Sequence, residues 1–217
     1  TSGLMIDVHD PVYGDMTQPG PVVWMEESGE EALEPEPRRW VEFDEALKIL
    51  KKIRTEIPEP SEAIEQEGWL SGVRVLDLCN VIAGPHSASY LARFGAEVIK
   101  LEPAEPMYDS WNTVIYGMSQ MRGKRSILAD ITSRHGRQVF EDLIKSVDVI
   151  VWNAPDNQIK KVGLDADSLG KLNPDAMFCK LDCFSGVRRG TRTDFIGYDD
   201  LVQATTGIML RFGGAMD

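Results

Sequence analysis

Residues 76–102, LDLCNVIAGPHSASYLARFGAEVIKLE, decide the fold. An apolar run from Val73 to Leu78 has the character of a strand buried on both faces of a parallel sheet. Gly84-Pro85 marks its end. A helix follows, with Ala88, Leu91, Ala92 and Phe94 turned inward and Gly95 as its C-cap. EVIKLE then opens another strand. This is a βαβ crossover, and ligands of such sheets sit beyond the strand C-termini. The loop CNVIAGP therefore stands where a ligand would be. It is not G-x-G-x-x-G, so the nicotinamide or flavin fingerprint is absent. By position alone, a plain connector is the commoner role for such a loop.

Outward from that unit, the chain from Gly72 alternates. Strands are expected at Val73–Leu78, Glu97–Leu101, Ser126–Ala129, Val147–Val151 and Ala176–Leu181. Helices are expected at His86–Phe94, Arg134–Lys145, Ala166–Lys171 and Tyr198–Leu210. The fold class is α/β, a Rossmann-like, mostly parallel sheet flanked by helices. Residues 28–70 are acidic and proline-bearing, as in an exposed linker. Within them Phe43, Leu47, Leu50, Ile53 and Ile57 recur at helical spacing, with Asp44 and Glu45 at the start and Lys51, Lys52 and Arg54 near the end. Residues 1–27 read as a short strand, a turn and an apolar segment.

The chain has 217 residues, 42% hydrophobic and 27% charged, which suits a soluble globular protein. A formal net charge of -12 argues against nucleic acid or an anionic membrane as a general partner. An anionic small ligand would need a local cluster of cations and N–H groups. No apolar run approaches the length of a membrane span and no signal peptide is visible. Cys79, Cys179 and Cys183 form no framework and suit a reducing compartment, so a cytoplasmic location is expected. CKLDC has the wrong spacing for a zinc knuckle and is read as structural; no metal is expected. The start at Thr1 and the stop at GGAMD give the look of a piece of something longer.

Five stretches fall into order: GVRVLDLCNVIAGP, SASYLARFGAEVIKLE, RGKRSILADITSRHGRQVFEDLIKSVDVIVWNAP, LNPDAMFCKLDCFSG and GYDDLVQATTG. Together, over about residues 70–217, they resemble the class III CoA-transferases, the family of formyl-CoA transferase and carnitine CoA-transferase. CoA needs an adenine pocket, cations and N–H donors for its phosphates, and a narrow channel for pantetheine. By resemblance, Val81, Ile82, Ala83, Gly84 and Pro85 line the channel near the thiol end. Glu102 and Pro103 lie near the nucleotide; formyl-CoA transferase has an arginine in place of Pro103, so one cationic contact is missing. Ala129, Asp130, Ile131 and Thr132 match a backbone segment at the adenine end, and Asn153, Ala154 and Pro155 match a family turn. Lys161 stands where relatives carry arginine, keeping the charge without the planar fork. Phe195, Gly197 and Tyr198 would close over the pantetheine.

A plainer reading stands beside each. Gly84-Pro85 shape a turn, Lys124 and above all Arg125 are solvated surface charge, Lys161 beside Lys160 is an exposed helix-end cation, and Asn153 caps the turn that follows.

The family reaction uses an aspartate that attacks a thioester, giving a mixed anhydride and then an aspartyl-CoA thioester. In relatives it follows the glycine loop after the GYDxxxQAxxG helix. Here Asp217 comes too early, so the nucleophile is expected beyond it and this chain alone is expected to be inactive. Asp199 and Asp200, adjacent on a helix, diverge by about 100° and form no dyad. The racemase branch of the fold has a histidine where this chain has Tyr198, and a phenol is a poor general base at neutral pH. His9, His86 and His135 lie elsewhere. Racemase is disfavoured.

Residues 2–26, SGLMIDVHDPVYGDMTQPGPVVWME, resemble the closing segment of a subunit of this family. The resemblance implies two tandem modules. Residues 1–27 would be the tail of the first, 28–70 the linker, and 71–217 the truncated N-terminal CoA-binding part of the second. The second module is then present in cis, or a homodimer supplies it. Within the family, this arrangement resembles the branch that moves CoA from acetyl-CoA to dimethylsulfoniopropionate and releases dimethyl sulfide. A carnitine- or formyl-type transferase and a non-catalytic CoA-binding module are the alternatives. Trp111, Tyr108 and Trp152 are candidates for a sulfonium site by residue type, Trp152 reading better as the end of a buried strand. Residues 1–27 are expected to pair with the main sheet.

Overall fold

The computed structural model describes residues 5–20, 22–23, 41–56, 68–105, 109–184 and 190–213. The chain divides into two compact units, Thr1–Gln66 with Ser185–Arg192, and Glu67–Phe184 with Thr193–Asp217.

In the first unit, β1 (Met5–Asp10) and β2 (Gly14–Pro19) form an antiparallel hairpin, and α1 spans Phe43–Glu56. The Asp10 carboxylate accepts from the N–H groups of Val12 and Tyr13 at 2.8 and 3.0 Å. Gly14 closes the turn at a φ of +74°, which a side chain would resist. Across the strands, the Thr17 hydroxyl donates to Asp7 at 2.7 Å and His9 Nδ1 meets Asp15 at 2.7 Å. Among the described residues β1 and β2 form a two-stranded antiparallel sheet with each other.

In the second unit the strands are β3 (Arg74–Asp77), β4 (Glu97–Glu102), β5 (Lys124–Leu128), β6 (Val149–Trp152) and β7 (Met177–Lys180). They form one sheet in the order β5-β4-β3-β6-β7, every pair parallel. The helices are α2 (Ala83–Arg93), α3 (Ser110–Gln120), α4 (Arg134–Lys145), α5 (Asp156–Ile159), α6 (Ala166–Leu172), α7 (Asp199–Thr206) and α8 (Ile208–Phe212). Successive strand residues face opposite ways, so the sheet carries two cores. Val75, Val98 and Val151 pack with Ala88 of α2 on one face. Leu76, Leu101 and Ile150 pack with Phe140 and Ile144 of α4 and Leu169 of α6 on the other. Burying each of these large aliphatic or aromatic side chains contributes about 1.5–3 kcal/mol.

Caps fix the helix starts. Ser133 accepts from Gly136 N–H at the head of α4, and Asp165 from Ser168 N–H at the head of α6. The single helix expected over Tyr198–Leu210 is two, because Gly207 takes a left-handed φ of +78° and ends α7. Helix α3 was not expected from the sequence. The expectations for residues 28–40 and 57–67, and for Tyr108 and Asp217, lie outside the described residues.

Candidate functional site

Because the sheet is wholly parallel, all five strands end at one edge. The loops after β3, β4, β5 and β6 carry most of the expected site residues, so the structure brings Val81–Pro85, Glu102, Ala129–Thr132 and Asn153–Pro155 to that edge. The strand order reverses between β3 and β6, the kind of position at which open α/β sheets bind their ligands.

At that reversal stands Asn153. Its Oδ1 accepts from Asn80 N–H at 2.9 Å and its Nδ2 donates to Asn80 C=O at 2.8 Å. The side chain is a clamp between the two loops. It does not cap α5, which has Pro155 at its N-cap and no side-chain hydrogen bond there. Next along the chain, Val81 has a φ of +68° and is the one non-glycine residue with positive φ among those described. For a β-branched residue this is strained by roughly 1–3 kcal/mol and persists only where neighbours hold it. Ile82 and Ala83 are exposed, whereas Gly84 and Pro85 are buried beneath them. A Cβ on Gly84 would lie 2.5 Å from both Cβ and Sγ of Cys79, so only glycine lets α2 start this close to the end of β3.

Beneath the loop lies a group of charges that the sequence reading missed. Asp77 and Lys100 are register partners on β3 and β4 and face the α2 side. Lys124 of β5 reaches across to join them. Its Nζ donates to Asp77 Oδ2 at 2.7 Å and to Pro85 C=O at 2.6 Å, and both side chains are fully buried. Lys100 Nζ donates to Cys79 C=O and lies 3.9 Å from Asp77 Oδ1. Asp77 also accepts from Cys79 N–H at 2.9 Å. Reading Lys124 as surface charge is therefore wrong. Arg125 is exposed and pairs with Glu97 at 2.8 Å, as a surface cation does. Burial lowers the Lys124 pKa, with Asp77 opposing, and burial with the nearby Asp77 pushes the Cys79 thiol far up. The available signal was a lone charge inside each of two apolar strands, LDL and IKL, since a buried charge requires a partner.

The second tie on α2 comes from α3. Ser89 donates to Gln120 C=O at 2.6 Å, and His86 Nδ1 lies 3.0 Å from Gln120 Oε1.

At the expected adenine end, Ala129 N–H donates to Glu102 C=O at 3.0 Å and joins the ends of β4 and β5. Asp130 turns its carboxylate back on its own loop, accepting from Thr132 N–H at 2.9 Å and Thr132 Oγ1 at 2.6 Å. These bonds hold its carboxyl below the usual carboxylate range. Ala129, Ile131 and Ala154 pack on the core beside α4. Lys161 is exposed in a 3-10 turn, Lys160–Val162, that Arg137 secures by donating to Val162 C=O at 2.6 Å. Phe195 and Tyr198 are exposed, and Gly197 abuts Cys183 in the loop after β7. In that loop Asp182 pairs at 3.0 Å with Lys180, which also meets Asp156.

Of the three aromatic candidates for a cation, Trp152 is buried in the core and Trp111 is exposed on α3. No helix among the described residues is long and apolar enough to cross a membrane.

Residues 70–217 match the sequence profile of CoA-transferase family III, and the chain belongs to that family. Over 218 residues it is 48% identical to the CoA-transferase/lyase DddD of Marinomonas sp. strain MWYL1, covering 98% of this chain and 26% of that protein. It is 36% identical over 154 residues to the succinate–glutarate CoA-transferase of Agrobacterium fabrum, covering 64% of this chain and 38% of that one. A CAIB/BAIF family protein from Brucella suis superimposes with a TM-score of 0.59 at 32% identity, over 66% of this chain and 40% of its own. The chain thus spans well under half the length of each of these relatives.

Proposed function

We propose that this chain is the acyl-CoA-binding part of a transferase that moves CoA from acetyl-CoA to dimethylsulfoniopropionate. The observation that carries the reading is the loop Val81–Ala83, strained, pinned from both sides and presented at the strand-order reversal of a family III sheet. The thioester end of CoA would meet that loop. The nucleotide would run along Glu102 and Ala129–Thr132, with Lys161 toward its phosphates and Phe195–Tyr198 over the pantetheine.

An aspartate beyond Asp217 attacks the thioester carbonyl and expels CoA as its thiolate, leaving a mixed anhydride. The thiolate returns to the aspartyl carbonyl and releases acetate. The acceptor carboxylate then attacks the aspartyl thioester, and the thiolate closes on the acceptor carbonyl, freeing the aspartate. From the acceptor's thioester, loss of the α-proton and of dimethyl sulfide leaves an alkenoyl-CoA. Water adds to it to give 3-hydroxypropionyl-CoA.

The tandem reading has its own support. The match to the CoA-transferase/lyase runs over 98% of the chain, whereas the family profile begins at residue 70. Residues 1–27 would close an upstream module, 28–70 link it, and 71–217 begin the second, in the cytoplasm, where Cys79, Cys179 and Cys183 stay free.

The test mixes acetyl-CoA and dimethylsulfoniopropionate with the full-length protein and, separately, with this chain, and follows dimethyl sulfide in the headspace. Gas from the full-length protein alone is expected. No gas from either defeats the lyase reading, and CoA transfer to another small acid would then favour a carnitine- or formyl-type enzyme.

A further inference from the structure

We infer that Asp77, Lys100 and Lys124 are positioning residues for acyl-CoA, acting through the loop above them. The inference rests on the CoA reading just given. Each lysine reaches beyond its own strand to a carbonyl of the loop, Lys100 to Cys79 and Lys124 to Pro85. Those two carbonyls bracket Val81–Ala83. Asp77 completes the frame by holding Cys79 N–H and one lysine at 2.9 and 2.7 Å.

Stability alone does not account for such a group. Desolvating three charges costs about as much as their attraction returns, and a buried ion cluster is often replaceable by apolar side chains without loss. Two apolar cores already flank this sheet. What apolar residues could not supply is directed donors to loop carbonyls. The strain at Val81 shows what the frame is for, since a left-handed valine needs its flanks fixed. Asn153 fixes one flank from β6, and the three charges fix both flanks from below.

The test uses the full-length protein and compares Lys124→Gln, Lys124→Arg and Lys100→Gln with the unaltered enzyme. KM is measured separately for acyl-CoA and for the acceptor acid, with thermal melting as the check on folding. Lys124→Gln is expected to raise KM for acyl-CoA about tenfold, the equivalent of one lost charge-assisted hydrogen bond. KM for the acceptor should change less than about twofold, and Lys124→Arg should recover part of the acyl-CoA loss. A folded Lys124→Gln or Lys100→Gln with unchanged KM for acyl-CoA overturns the inference. So does failure of both glutamine variants to fold, which would assign the group to the core. An unaltered enzyme that neither binds nor turns over acyl-CoA defeats the CoA reading instead, before any variant is compared.

Discussion

The carboxamide of Asn153 makes both of its hydrogen bonds to one backbone unit, that of Asn80, lying 73 residues earlier in the chain. One donor and one acceptor face one acceptor and one donor, so no isostere with two like atoms can replace it. Asn153→Ala is expected to lower stability by about 1–2 kcal/mol in urea unfolding and to raise KM for acyl-CoA. Asn153→Asp should do no better, because a carboxylate oxygen would then face the Asn80 carbonyl. A variant aspartate with native stability and KM would show that the clamp is dispensable.

Gly84 tests the packing beneath the same loop. Its missing Cβ would sit 2.5 Å from Cys79 Sγ and 2.5 Å from Cys79 Cβ. Gly84→Ala should therefore cost about 1–3 kcal/mol. Adding Cys79→Ala should relieve only part of this, since the Cβ contact stays. Full recovery in the double variant, read by melting, would place the clash at sulfur alone.

Asp130 supplies a pH dependence. Hydrogen bonds from Thr132 depress its carboxyl, so the native state holds the proton less tightly than the unfolded chain does. The stabilisation is present at neutral pH, starts to fall as pH drops past the ordinary value of 3.8, and is gone below the depressed native value. Melting temperatures of the protein and of Asp130→Asn should differ at pH 7 and converge in acid. A gap that stays constant down to pH 3 would contradict the assignment.

The thiols should separate by reactivity. Cys79 is fully buried with its pKa pushed far up, whereas Cys179 and Cys183 are exposed and less shielded. Alkylation at neutral pH, mapped by mass spectrometry, is expected to mark Cys183 and Cys179 first and Cys79 only on unfolding. Early labelling of Cys79 would mean that the loop opens far more readily than its anchors allow.

The sheet was legible because its strands are short apolar runs set between amphipathic helices. All five strands and α4 fall where periodicity puts them, within two residues at either end. The site loop was legible for the same reason, since a βα loop of a parallel sheet has only one edge to occupy. What the sequence concealed was contact between distant strands. Lys124 at the start of β5 looks like surface charge until its register beside β4 carries it over to Asp77. Asn153 looks like a cap until β6 is known to lie against β3. Helix α3 was hidden differently: Trp111, Val114, Ile115 and Met118 recur at helical spacing but are exposed, and Gly117 interrupts the pattern.

The placing of β3 between β4 and β6 also sets an order of events during synthesis. β3, α2 and β4 are contiguous and can pair as soon as they leave the ribosome, whereas β6 must close a far longer loop to reach β3. Until it does, Asn80 has no clamp and the flanks of Val81 are held only from below, by Asp77, Lys100 and Lys124. The receptive shape of the loop is thus completed late, after much of the sheet exists. A CoA thioester that selects the clamped form would draw the nascent chain toward it by mass action, serving as a folding ligand before it serves as a substrate.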